Sequence, residues 1–148
     1  MSETQTTIQP VRRAVTVERP LEDAFRVFTE SLGGWWPVET HSIAKDAVET
    51  VVMEGRADGR LYERTADGAE NDWGRMLVWE PPRRIAFEWH ITGTPTEVEV
   101  RFTPEGERTR VDLEHRGFER LENGAARRES YNYGWVTVLE RYAAEAAA

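Results

Sequence analysis

The sequence predicts an α+β fold in which a curved antiparallel sheet wraps around a long C-terminal helix. Three observations predict it. Turn signals at Asp58-Gly59, Asp67-Gly68, Pro81-Pro82, Thr92-Gly93-Thr94-Pro95 and Pro104-Glu105-Gly106 cut the middle of the chain into six β-rich stretches. Several of those stretches alternate apolar and polar residues, as antiparallel strands with one covered face do. An amphipathic helix carrying Tyr131, Trp135, Val138 and Tyr142 closes the chain. A meander with a helix laid across it encloses a space, and much of the expected lining is aromatic.

The elements follow in order. Residues 1–9 are polar and Thr/Gln-rich and are expected to be a flexible N-terminus. Val11 to Val17 alternates as a first strand. Pro20 opens a helix, where its missing N–H costs nothing, and Glu22 and Asp23 suit the positive end of the helix dipole. Leu21, Phe25, Phe28 and Leu32 form its apolar stripe, and Gly33-Gly34 is expected to stop it. Trp35-Trp36-Pro37 follows, so a short second helix or a tight turn is expected. Six strands then read as Val48–Met53, Leu61–Arg64, Trp73–Trp79, Arg84–Ile91, Glu97–Phe102 and Thr109–His115. In the fourth, Ile85, Phe87, Trp89 and Ile91 oppose Ala86, Glu88 and His90. In the sixth, Val111, Leu113 and His115 share one face. The last helix is expected from about Ala125 past Tyr142, with residues 144–148 fraying. Gly134 lies inside it at a cost of about 1 kcal/mol relative to Ala, and such a glycine often marks a close approach of backbone or ligand.

Composition narrows the function. With 148 residues the chain makes one domain with a real core, here residues 10–143. Its 19 Lys and Arg against 27 Asp and Glu give a formal charge of −8, which repels phosphate backbones, so no nucleic-acid partner is expected. The absence of cysteine excludes disulfides, thiolate nucleophiles and zinc–thiolate sites. The three histidines share no metal-ligand spacing, so neither a metal nor another cofactor is expected. No apolar run approaches the roughly 20 residues that span a bilayer. A soluble cytoplasmic protein without membrane insertion is the expectation.

The local wording carries a resemblance. Gly34-Trp35-Trp36-Pro37, Gly59-Arg60-Leu61-Tyr62-Glu63-Arg64, Trp73-Gly74-Arg75-Met76, Trp79-Glu80-Pro81-Pro82-Arg83-Arg84-Ile85 and Tyr133-Gly134-Trp135 occur in that order. Together they resemble the bacterial SRPBCC proteins of the START-like, Bet v 1-like superfamily. Within it the chain is similar to the branch of the C-terminal domain of the activator of Hsp90 ATPase. The resemblance spans about residues 10–143. It implies a helix-grip fold with an internal cavity, and members that bind hydrophobic ligands, act as cochaperones or, in a minority, work as cyclases or dehydratases. The separate N-terminal domain of the eukaryotic Hsp90 activators is not expected here, which weighs against a cochaperone role.

The leading expectation is therefore a binding module for a small hydrophobic molecule. The alternatives are an Hsp90-activator-like cochaperone or interaction domain, and a cyclase- or dehydratase-type enzyme in the same cavity. Ring-lined pockets with a few polar handles are the usual chemistry of small-ligand sites. The candidate ligand-binding residues are Trp35, Trp36, Glu63, Trp73, Met76, Phe87, Trp89, Phe102, His115, Tyr131 and Trp135; for most of the rings the competing account is plain core packing. His115 could serve as acid or base, or be a satisfied buried histidine. His90 falls on a polar face, and His41 sits in an irregular segment after the tryptophan pair, where it could gate a pocket mouth, although the preferred reading is a surface loop. Either Glu63 or Arg64 faces inward: Glu63 would then carry a raised pKa among apolar walls, or Arg64 would clamp a ligand carboxylate. No nucleophile elbow or phosphate-cradling loop is present. The outer sheet face, with Glu97, Glu99, Arg101, Asp112 and Glu114, reads as a charged solvated surface. Trp79, on an outward register, is a candidate homodimer contact, as is an edge strand.

Overall fold

A computed structural model describes residues 8–148. Most of the flexible N-terminus expected over residues 1–9 lies outside the described residues. Ile8 packs against the core, and Arg128 donates to the Gln9 and Pro10 carbonyls, each at 3.1 Å. The chain runs β1 (Val11–Val17), α1 (Leu21–Thr29), α2 (Leu32–Trp35), β2 (Val48–Met53), β3 (Arg60–Thr65), β4 (Glu70–Glu80), β5 (Arg84–Trp89), β6 (Thr96–Glu105), β7 (Arg108–Arg116) and α3 (Gly124–Ala147). The seven strands form one antiparallel sheet in the order β1-β7-β6-β5-β4-β3-β2. The first strand therefore crosses over to the far edge, beside β7, and the rest is a meander. The inner face and α3 enclose the core, which is the helix-grip arrangement of the sequence reading. No helix of the described residues is long and apolar enough to cross a membrane.

The first helix ends earlier than its stripe suggests. It stops at Thr29, and Leu32 belongs to α2, which also contains Gly33 and Gly34. The glycine pair is not a stop signal. A Cβ on Gly33 would sit 2.3 Å from Thr50 Oγ1 and 3.1 Å from Val51 N, so glycine there lets α2 lie directly on β2. Trp36 leaves the helix with extended backbone (φ −62°, ψ 132°), which allows two adjacent tryptophans both to be buried. Trp35 turns toward Phe28 and Tyr142, and Trp36 toward Trp73 and Trp135.

Two irregularities in β4 re-aim its side chains. Pairing with β3 skips Trp73, and pairing with β5 skips Leu77. Each bulge adds one residue and reverses the in–out parity beyond it. Met76 opposes Phe87 on the inner face, and after the bulge Trp79 opposes Ile85 on that same face. The expected outward register of Trp79 is thereby corrected. Its ring packs edge-on against Phe25, with centroids 5.3 Å apart, within its own chain. Gly74 is required between the bulges, because a Cβ would fall 1.9 Å from the Glu88 carbonyl oxygen.

The C-terminal helix continues to Ala147. Arg19 donates to the Ala146 and Ala148 carbonyls at 2.5 Å and caps the end of α3, while Ala146 is fully buried. On the outer sheet face the acidic residues lie among arginines. Glu99 is buried beneath Arg84, Arg101 and Arg116, at 2.6, 3.0 and 3.0 Å. Arg116 also reaches Glu97 and Glu114, and Arg12 reaches Glu114.

Candidate functional site

The space between sheet and helix is solid at one end and open at the other. At the open end a cavity of about 220 Å³ lies between the Trp36–Ser42 segment, the end of β5 and the middle of α3. Trp36, Trp89, Tyr131 and Trp135 provide most of its walls, with Ile91, Val138 and Gly134. The β5 alternation aims Trp89 inward, and the i, i+4 spacing of Tyr131 and Trp135 puts both on one face of α3.

Ring polar groups here are mostly spent on one another. Trp89 Nε1 donates to the Tyr131 hydroxyl at 3.0 Å, and Trp36 Nε1 donates to the His41 carbonyl at 2.7 Å. Trp135 Nε1 donates to His115 Nδ1 at 3.0 Å. That bond makes Nδ1 the acceptor, so a neutral His115 carries its proton on Nε2 and donates to Thr96 Oγ1 at 2.7 Å. Thr96 lies 3.4 Å from the Thr92 hydroxyl, which donates to the Thr94 carbonyl at 2.8 Å. Burial pushes the His115 pKa down to about 3, so the imidazole is neutral at pH 7.

Glu63 is the second buried ionisable group. It shares its face with Leu61 and is fully buried. Its carboxylate accepts four hydrogen bonds: Ile43 N–H at 2.8 Å and Trp73 Nε1–H at 2.7 Å on one oxygen, Ala44 N–H and Asn71 Nδ2–H, both at 2.8 Å, on the other. Burial alone would raise its pKa. The bonds from Asn71, Ile43, Trp73 and Ala44 outweigh that and hold it below the ordinary carboxylate range. The expected upward shift is corrected in sign, because this carboxylate is surrounded by donors. It fixes the backbone of the segment that forms one cavity wall. Arg64 points outward, 3.9 Å from Glu49, and clamps nothing in the interior.

A model of the family described as activator of Hsp90 ATPase homolog 1-like protein matches residues 18–146. The chain belongs to that family. Its fold is a ligand-binding one. Among solved structures, the chain is similar to an anthrahydroquino-γ-pyrone synthase, Txn09, complexed with SUM, at 32% identity over 93% of this chain and 96% of that one, with a TM-score of 0.58. It is also similar to CalC, a self-sacrificing resistance protein from Micromonospora echinospora, at 28% identity over 93% and 94% of the two chains, with a TM-score of 0.72. Protein NE0264 from Nitrosomonas europaea shares the fold at 12% identity, 93% and 94% coverage and a TM-score of 0.67. No curated protein matches the chain.

Within this Hsp90-activator-like domain the sequence candidates separate. Trp36, Trp89, Tyr131 and Trp135 line the cavity. Trp35 and Phe102 pack with Phe25, Phe28 and Tyr142 at the solid end. Met76 and Phe87 are core residues paired across β4 and β5. Trp73 and Glu63 bond to each other behind Trp36. His115 faces inward but lies beneath Tyr131, with ring centroids 4.9 Å apart. His90 is not simply solvated: Asp72 and Glu88 hold it at 2.6 and 2.9 Å, and although burial opposes the shift, these carboxylates raise its pKa. For His41 the sequence favoured a surface loop over a pocket mouth, yet it lines the cavity with Thr40 and Ser42. No local pattern marks an irregular segment for that role. Gly134, flagged by its cost to the helix, lies against the His41 ring: a Cβ there would be 3.7 Å from Nε2.

Proposed function

We propose that this protein binds a small, mainly apolar ring compound in the cavity between β5, α3 and the Trp36–Ser42 segment. One observation carries the reading: four aromatic residues that could have closed on one another instead surround about 220 Å³ of space. That volume is below the roughly 300–1,000 Å³ of drug-sized sites, which favours a compact occupant. The likeness to Txn09, described as complexed with a ligand, agrees with a ring-binding role. A second reading, chemical conversion of the bound molecule, rests on the word synthase in that description. Of the titratable side chains at the cavity, it would use Tyr131 and His41, since neither His115 nor Glu63 lines it.

Native mass spectrometry of protein purified without added ligand tests the binding reading, together with titration of tryptophan fluorescence by small ring compounds. The expected results are an extra mass that denaturation removes, or saturable quenching. The variant Gly134→Leu fills the cavity from the helix side and is expected to abolish both. Undiminished binding by that variant would place the ligand elsewhere.

A further inference from the structure

The polarity of the cavity can be worked out group by group, and it selects among ring compounds. This step rests on the binding reading above. The N–H groups of Trp36, Trp89 and Trp135 are consumed by the His41 carbonyl, the Tyr131 oxygen and His115 Nδ1. The Ser42 hydroxyl donates to the Val38 carbonyl and accepts from Lys45 N–H at 2.9 Å. Thr40 Oγ1 lies 2.6 Å from His41 Nδ1 and 3.4 Å from the Pro37 carbonyl, which already accepts two backbone N–H groups. Two proton arrangements fit these contacts: Thr40 donates to Nδ1 and the His41 proton sits on Nε2, or Thr40 donates to Pro37 and Nδ1–H donates to Thr40. Burial, and then the charge on Lys45, lower the His41 pKa, so the ring is neutral at pH 7 despite Glu39. Tyr131 already accepts from Trp89, and among the described residues no group accepts the Tyr131 hydroxyl proton.

One unspent donor therefore remains at the cavity in either arrangement, the Tyr131 O–H. Of the side-chain oxygens there, those of Tyr131 and Ser42 each already accept one hydrogen bond, and Thr40 is exposed to solvent. We infer that the cavity selects ring compounds bearing carbonyl-type acceptor oxygens, such as cyclic ketones, quinones or pyrones, over rings that are purely apolar or only donate. A ring that only donates would leave the Tyr131 O–H unpaired and set its own N–H against mainly apolar walls, and buried unpaired polar groups are costly.

Three bicyclic probes of similar size separate the outcomes: 1-tetralone, which accepts, tetralin, which has no polar group, and indole, which only donates. Affinities are measured by calorimetry and tryptophan quenching. Tetralone is expected to bind about fivefold to tenfold more tightly than tetralin, with indole no tighter than tetralin. The double variant Tyr131→Phe/Trp89→Phe, which removes the hydroxyl together with the indole N–H that its loss would free, is expected to bring the tetralone-to-tetralin affinity ratio close to one. Equal binding of all three probes, a preference for indole, or an unchanged tetralone-to-tetralin ratio in the double variant overturns the donor assignment and leaves the binding reading standing. Failure of all three probes to bind overturns both.

Discussion

At one end of the interior, Phe25, Phe28, Trp35, Phe102 and Tyr142 interlock with ring centroids 5.0–5.7 Å apart. At the other end, Trp36, Trp89, Tyr131 and Trp135 surround a cavity. Both ends are aromatic, so ring content does not distinguish core from pocket. What differs is the opposing wall and the destination of the polar atoms. The solid end is closed by α1 and α2, and its polar tips end on backbone: Trp35 Nε1 on the Val27 carbonyl at 2.8 Å, Tyr142 O–H on the Ala24 carbonyl at 2.7 Å. The open end is closed by an irregular segment and by Gly134, which contributes no side chain. Two of its three indole N–H groups end on other rings, the third ends on the His41 carbonyl, and the Tyr131 hydroxyl proton is left over.

The comparison predicts unequal costs. Phe28→Ala, at the solid end, should destabilise the protein by about 3–5 kcal/mol in urea unfolding, because neighbouring rings cannot collapse into the gap. A loss below about 1 kcal/mol would mean that this end is as loose as the other. Glu63→Gln keeps the shape but turns an amide N–H donor toward groups that themselves donate, at an expected cost of about 1–3 kcal/mol. Hydrogen exchange at the amides of Ile43 and Ala44 should accelerate in this variant more than exchange in β6 and β7. Uniform acceleration would show that Glu63 does not anchor that segment specifically.

His115 separates the two ends by pH. The unfolded chain binds a proton near the ordinary value of 6.5, while the folded protein refuses it until about 3. Stability should therefore fall as pH drops below 6.5, by about 1.4 kcal/mol per unit from this residue alone. His115→Gln can accept from Trp135 and donate to Thr96 without titrating. The stability difference between wild type and variant should shrink or reverse by about 2 kcal/mol between pH 7 and pH 5. Parallel pH profiles would mean that the imidazole is not held neutral. The smallest effect belongs to Gly134→Ala, expected to gain up to about 1 kcal/mol from helix propensity. Its methyl group would meet His41 at ordinary contact distance, so weaker ligand binding should accompany the higher stability. Gains in both would place the ligand away from α3.

The sheet was legible because β5, β6 and β7 each cover one face, so a period of two survives in the residues. The bulges at Trp73 and Leu77 were not, since an extra residue leaves no mark in an apolar run, and the facing of Trp79 was lost with them. Glu63 was ambiguous for a different reason. Its neighbour Tyr62 is also buried, although it lies on the other face under the Arg60 guanidinium, 4.1 Å from the ring centroid. The direction of the Glu63 pKa depended on backbone donors from a segment about twenty residues away, which no local pattern encodes. Four cavity rings could be named from the sequence because they lie on regular elements or beside one. His41 was ranked as a surface residue first and a pocket residue second, because irregular backbone has no periodicity to decide between them.

The relay from Trp135 through His115 and Thr96 to Thr92 has a bearing on how α3 finds its axial position. Apolar side chains tolerate sliding, because a neighbouring Leu or Val can replace the one displaced. A donor–acceptor series running in one sense does not. Shifting α3 by one residue would present Gly134 or Val136 to His115 Nδ1, and neither carries a side-chain donor. The buried polar row therefore acts as a vernier for the helix, setting to within a residue an alignment that greasy packing alone would leave approximate.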